Sequence, residues 1–329
     1  MTFEEFKKHI VEHFKEYLPK ARQDVKVSLM KNPKNNNVTQ EGLMVRRPNS
    51  NVTPVIGLEP FYEAHQGGMC LNDIMEKLAD IYIQSVIQLP HFDKEMVDYD
   101  TVRDKIFVAA CNAEMNSEVL LNAPYELNGE LAEVYRIQLT LGEGMFSMLV
   151  TNQQLEQWGI SREVLKETAW ENVRRDLGLR VESLVDFIKK KETLRAHEDF
   201  LDILKELNCK NRFYVMTNNN VYYGAAYVLA EKELSRAAEY VDSDIIIIPS
   251  SIHSCLFLSD KEIKNVMGDG EAYELYLDAL RKQFVKINEK MKNRVEWLSD
   301  EIYYFDRETQ KLSILSAPVQ EQGMTMQGM

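Results

Sequence analysis

Three stretches of the chain combine residue types that do chemistry. The first is His9-Ile10-Val11-Glu12-His13, which matches the HxxEH arrangement of inverted zinc peptidases. On a helix, histidines four residues apart can share one metal ion, with the glutamate between them as general base. At about 100° per residue, however, both histidines and Glu12 point away from the apolar stripe of Phe3, Phe6, Ile10 and Phe14. Such a site would lie on the solvent side of the helix, and the sequence offers no third ligand. The first reading is two exposed histidines; the alternative is a metal-dependent hydrolase.

The second stretch is Ser250-Ser251-Ile252-His253, which follows the apolar run Ile245 to Pro249. If the chain stays extended, Ser251, His253 and Cys255 share one face. Residues two apart on a strand are about 6.5 Å apart, a poor distance for a nucleophile and its base. A triad with Asp300 then requires a sharp bend. The residues alone favour a structural His253, its ring nitrogens bonded to backbone or to a polar side chain. A hydrolase using His253 with Ser251 or Asp300 is the alternative. Cys255 reads as a small buried cysteine.

The third stretch, Asn218-Asn219-Asn220-Val221-Tyr222-Tyr223-Gly224, is a polar and aromatic turn at the start of a helix. Backbone amides there can hold an anion, which makes Asn218, Asn220 and Tyr223 candidate ligand-binding residues. The segment lacks both the GxxxxGK[ST] of a phosphate loop and the GxGxxG of a dinucleotide site. Gly142-Glu143-Gly144 reads as a hairpin turn.

The elements that must position these residues follow from periodicity. Residues 2–18, and the stretch that begins at Leu71 and ends before Pro90, carry apolar side chains at helical spacing. Strands are expected at Val25 to Met30, Leu43 to Arg46, Val52 to Leu58, Lys105 to Ala110, Tyr135 to Thr140 and Met145 to Val150. Ser161 is expected to cap a helix that turns Val164, Leu165, Thr168, Ala169 and Val173 inward. Beyond it the pattern predicts strands at Arg212 to Thr217, Asp244 to Pro249 and Ser254 to Leu258. An alanine-rich helix should open at Gly224 and run through Ala238. Tyr273, Leu277, Leu280, Phe284, Ile287 and Met291 mark a long helix, whose stripe reads as core packing with a dimer seam as the alternative. Ile302 to Phe305 and Leu312 to Leu315 should close a terminal hairpin.

Several of these segments together resemble a large uncharacterised family, a domain of unknown function common in anaerobic Gram-positive gut bacteria. They are YVMTNNNVYYGAA (Tyr214 to Ala226), IIIIPSSIH (Ile245 to His253) and WLSDEIYYFD (Trp297 to Asp306), with IGLEPFYEAHQGG (Ile56 to Gly68) and WGISREVLKETAWENV (Trp158 to Val173) upstream. The similarity spans roughly residues 40–316. Family members often carry an acidic residue after the PSSIH histidine, where this chain has Ser254, which weakens a reading of His253 as half of an acid–base pair. The resemblance implies a soluble intracellular protein with no established activity.

Composition sets the outer bounds. The chain has 329 residues, with 39 basic and 52 acidic side chains and a net charge of -13. That balance argues against general nucleic-acid binding, which needs basic patches to displace counterions. The cluster Lys189-Lys190-Lys191 reads as a solvated helix face. The four cysteines, Cys70, Cys111, Cys209 and Cys255, form no CxxC pair, so neither an oxidising compartment nor a zinc ribbon is indicated. The acidic N-terminus is unlike a secretory signal, and no apolar run is long enough to span a membrane.

These features predict an α+β protein of two closely packed lobes, with mixed or antiparallel sheets flanked by helices. The expected division is an N-terminal lobe over 1–178, a charged helical connector over 179–209, a C-terminal lobe over 210–316 and a disordered tail over 317–329. The expected function is a non-enzymatic cytoplasmic binding or regulatory protein without a cofactor, acting on a protein or small molecule. Nucleic acid and membrane are not expected as partners, and the chain is expected to be a monomer or homodimer.

Overall fold

A computed structural model describes residues 1–48, 53, 55–88, 98–141, 144–190, 213–290 and 295–315. Outside them lie several sequence expectations: the turn residues Gly142 and Glu143, Pro90, Met291, most of the connector read over 179–209, and the tail read over 317–329. The class is α+β, with antiparallel sheets flanked by helices. The described residues form two compact units. One takes them from Met1–Phe107, Met115–Pro124 and Tyr135–Asn172; the other takes them from Val108–Glu114, Tyr125–Val134 and Val173 onward.

In the first unit, α1 (Phe3–His13) begins with a capping box in which Thr2 and Glu5 satisfy each other's backbone amides. The helix tightens into a 3-10 turn over Phe14–Tyr17. A meander follows: β1 (Lys26–Pro33), β2 (Thr39–Arg46) and β3 (Val55–Gly57), paired antiparallel in that order. Then come α2 (Glu59–Gln66) and α3 (Leu71–Gln88). Phe6, Ile10 and Phe14 pack with Leu43 and Val45 of the sheet and with Ile74, Leu78 and Tyr82 of α3. Burying a side chain of this size contributes about 1.5–3 kcal/mol, so this face of α1 fixes the helix on the sheet.

A short helix, α4 (Tyr99–Val102), leads to β4 (Ile106–Asn112), which is buried at every position. It is followed by α5 (Ser117–Leu120), β5 (Tyr125–Asn128), β6 (Leu131–Leu141) and β7 (Gly144–Leu149), with β6 pairing β5 and β7. Two helices follow, α6 (Asn152–Trp158) and α7 (Arg162–Asn172). Ser161 caps α7 as its type predicts, accepting the Val164 amide at 3.3 Å.

The second unit is built on a six-stranded sheet with the order β13-β12-β10-β11-β9-β8. Its strands are β8 (Leu179–Ser183), β9 (Tyr214–Asn218), β10 (Ile245–Ser251), β11 (Ser254–Ser259), β12 (Tyr303–Asp306) and β13 (Lys311–Ile314). The helices are α8 (Leu184–Lys189), α9 (Glu231–Val241), α10 (Asp260–Met267) and α11 (Glu271–Lys290). Ile245 to Ile248 are buried on both faces of the sheet, as a continuous apolar run requires. The α11 stripe of Tyr273, Leu277, Leu280, Phe284 and Ile287 packs into the same core as Ile246, Ile248 and Leu256.

Three local readings change. Leu179–Ser183 is a strand rather than the start of a helical stretch, because pairing with β9 outweighs its charged composition. The helix expected from Gly224 through Ala238 is two elements, a 3-10 turn over Gly224–Leu229 and then α9. The break is at Ala230, whose backbone is extended (φ -119°, ψ 101°). Finally, extension does not continue past Ser251. Ser251 pairs with Ser254 across a tight turn, after a register irregularity that begins at Ile248.

Candidate functional site

The reversal at Ile252-His253 sets the imidazole against the Asn218–Gly224 turn. β9 runs beside β11, so the residues that leave β9 pass the β10–β11 hairpin. Asn218, the last residue of β9, is buried and organises that passage with its side chain. Its Oδ1 accepts the amides of Asn220 and Tyr222, each at 3.1 Å, and its Nδ2 donates to the Tyr222 carbonyl at 2.8 Å. The backbone between is forced into the left-handed region at Val221 (φ 50°) and Tyr223 (φ 54°). For a β-branched and a bulky residue that conformation costs of order 1–3 kcal/mol and persists only where the surroundings impose it.

His253 is one of the groups that impose it. The Tyr223 amide donates to His253 Nδ1 at 3.1 Å, and the His253 carbonyl accepts the Thr217 hydroxyl at 2.7 Å. The rings of Tyr222 and Tyr223 lie 5.8 and 5.5 Å from the imidazole, centroid to centroid. Gly224 closes the assembly. A Cβ there would meet the Thr217 hydroxyl oxygen, and would lie 2.7 Å from both the Asn218 nitrogen and the His253 carbonyl oxygen.

Nδ1 accepts a backbone proton, so the neutral ring carries its own proton on Nε2. That nitrogen lies 3.8 Å from Oε1 of Glu296, beyond direct hydrogen-bond distance. The same Glu296 accepts the Ile252 amide on its carbonyl at 2.9 Å. The residue just before the WLSD segment thus lies beside the PSSIH turn.

The other residues singled out in the sequence take different roles. The Ser251 hydroxyl accepts the backbone amide of His253 at 3.1 Å. Asp300 accepts from Asn288 Nδ2 at 2.6 Å and from Trp297 Nε1 at 3.1 Å. Asn220 contributes its amide to the Asn218 side chain. Burial pushes the Cys255 thiol well above its ordinary pKa, which suits a core side chain and not a nucleophile. At the N-terminal helix, the His9 and His13 rings are 4.6 Å apart, His13 Nδ1 meets Glu16 at 2.9 Å, and Glu12 meets Lys8 at 3.8 Å. Among the described residues no three His, Cys, Asp or Glu side chains converge as a metal site.

Glu296 and Thr217 are the participants that spacing could not reveal. Glu296 lies 43 positions beyond His253 in a loop with no periodicity, and Thr217 reads only as one more strand residue.

Over residues 3–307 the chain matches the model of a family of unknown function, DUF5688. It belongs to that family. No curated protein and no solved structure matches the chain. Membership covers nearly the whole chain, but it carries no activity. No helix among the described residues is long and apolar enough to cross a membrane.

Proposed function

We propose that this member of DUF5688 is a non-enzymatic, cytoplasmic binding or regulatory protein, and that the Asn218–Gly224 turn with His253 and Glu296 is its recognition element. The observation that carries this reading is the bond from the Tyr223 amide to His253 Nδ1. A general base needs an imidazole lone pair facing its nucleophile. Here the lone pair on Nδ1 is taken by backbone, and Nε2 holds the proton on the side of Glu296. The imidazole thus works as a strut under a strained turn, and the strain serves to display the half-buried Tyr222 and Tyr223 rings. Aromatic side chains with polar tips are common contact residues in recognition surfaces. No metal or cofactor is needed for such a role.

The proximity of Glu296 to Nε2 is the observation that favours the alternative, a hydrolase in which a carboxylate–imidazole pair moves a proton. The tautomer separates the two readings. Nitrogen NMR of protein labelled at its histidines, with His253 assigned from the His253→Ala spectrum, should show that the neutral ring carries its proton on Nε2. A neutral ring protonated at Nδ1 would free the geometry for acid–base work and refute the binding reading.

A further inference from the structure

Away from that turn, the first unit carries an unexplained concentration of positive charge. Between residues 22 and 47 stand six cations, Arg22, Lys26, Lys31, Lys34, Arg46 and Arg47, against two carboxylates, Asp24 and Glu41. Glu41 is already engaged by the buried Lys7. Among the described residues none of the six cations is within ion-pair distance of a carboxylate. This is the reverse of the whole chain, whose net charge is -13.

Strand alternation sorts these residues by face. Val27, Leu43, Val45 and Ile56 turn into the core with α1 and α3. The opposite face of the sheet therefore carries Lys26, Ser28 and Met30 from β1, Met44 and Arg46 from β2, and Val55 from β3. Met30 is 42% exposed, and Lys26 and Arg46 are exposed at the end of the sheet. The register places Lys26 directly opposite Arg46, and Met44 between Ser28 and Val55. Like charges directly across a strand pair are destabilising. Lysines on an edge strand guard against edge-to-edge pairing, and β1 is an edge. That accounts for Lys26 and Lys31, but not for an arginine on the central strand facing one of them.

We propose that the open face of the β1–β2–β3 sheet is a docking surface for an acidic segment of a partner protein that also carries apolar side chains. Carboxylates of the segment bridge Lys26 and Arg46 and remove their mutual repulsion, while its apolar side chains lie on Met30, Met44 and Val55. Methionine surfaces adapt well to such contacts. Two observations favour a protein segment over nucleic acid. Among the described residues this face has no aromatic side chain on which bases could stack, and a chain of net charge -13 repels a polyanion of high charge density.

The test is fluorescence anisotropy on the full chain, with a labelled peptide rich in glutamate and leucine and, separately, labelled oligothymidylate. The peptide should bind, weaken as salt rises, and lose about tenfold in affinity in the Lys26→Gln/Arg46→Gln variant. That variant should melt no lower than the wild type, because it removes a repulsive pair, so lost binding cannot be blamed on unfolding. Absence of peptide binding, or binding unchanged in the variant, would overturn the proposal. So would tighter binding of oligothymidylate, which would assign the surface to nucleic acid. A salt-sensitive dimer abolished by the same substitutions would likewise overturn it, in favour of a second copy of this chain.

Discussion

The tripeptide Asn-Asn-Asn turns the chain once in each unit, and the two turns distribute backbone strain differently. At residues 35–37, between β1 and β2, the asparagines themselves take the left-handed conformation, with Asn36 at φ 61° and Asn37 at φ 55°. Asparagine tolerates that region better than other residues with a side chain, and Lys34 and Val38 close the turn with a backbone bond of 2.7 Å. Asn36 is also buried and exchanges hydrogen bonds of 2.9 Å with the Asn116 side chain. At residues 218–220 the left-handed positions fall on Val221 and Tyr223, the residue types least suited to them. The first turn is a cheap reversal. In the second, Asn218 and His253 hold strain on the residues that carry the aromatic rings, the pattern expected where presentation matters more than stability.

The largest effect is expected at the point where the second turn meets its neighbours. Gly224→Ala places a methyl group 2.7 Å from two backbone atoms, neither of which can move without breaking β9 or the β10–β11 hairpin. A loss of about 3 kcal/mol or more is expected, read from urea unfolding. A variant as stable as the wild type would mean that turn and hairpin are not locked together. Next comes Asn218→Ala, which removes two accepted bonds and one donated bond at a buried position and should cost about 3 kcal/mol. Its counterpart Asn36→Gly keeps the left-handed backbone and the bond from the residue-36 amide to Asn116, loses the bond that Asn116 Nδ2 donates to the Asn36 side chain, and should cost about 1–2 kcal/mol. If the two losses are equal, the contrast between the turns is wrong.

That contrast also explains what could be read from the residues alone. Elements whose stability comes from one apolar face were legible, because Phe6, Ile10 and Phe14, or Tyr273 to Ile287, announce that face by spacing. The continuous run Ile245 to Ile248 announced a strand covered on both sides. β8 was missed although Leu179 and Val181 alternate with Arg180 and Glu182, because the alternation is only five residues long and opens a charged stretch. The break at Ala230 was hidden because alanine suits either side of it. At the site, the types of Asn218, Tyr223 and His253 were visible, but their partnership was not. It depends on backbone groups, which every residue has, and on Glu296, brought in by a loop.

A pair of carboxylates extends the comparison to pH. In the first unit, the Lys7 ammonium bonded to Glu41 holds that carboxyl below its ordinary pKa, more than offsetting its desolvation. In the second, burial pushes Glu130 up. A bond from the Ser299 hydroxyl partly offsets this, and the charges of Glu301 and Asp300 raise it further. The signs oppose. Glu41 contributes stability that is present above the ordinary glutamate pKa and is lost as pH falls through its lowered folded value. For Glu130 the folded chain holds a proton that the unfolded chain has released, between the ordinary value and its raised one. Stability there falls as pH rises. The melting temperature of Glu130→Gln, set against wild type from pH 7 down to the ordinary glutamate pKa, should show a difference that shrinks with acidification. A constant difference would remove Glu130 from the argument.

The smallest expected change in stability is the one that most sharpens the comparison. Tyr223→Asn gives the second turn what the first already has, a residue at ease in the left-handed region. The relief is worth about 1 kcal/mol. Against it stands the loss of ring contacts with Tyr222 and His253, also about 1 kcal/mol for aromatic neighbours at this separation. The backbone amide that bonds His253 Nδ1 is unchanged by the substitution, so the His253 tautomer should persist in the same NMR spectrum. The variant should therefore unfold within about 1 kcal/mol of the wild type, although one of the two displayed rings is gone. A loss of several kcal/mol would show that the Tyr223 ring is itself structural. In that case the strain at residue 223 holds the core together rather than displaying a surface, and the two asparagine turns differ in degree rather than in purpose.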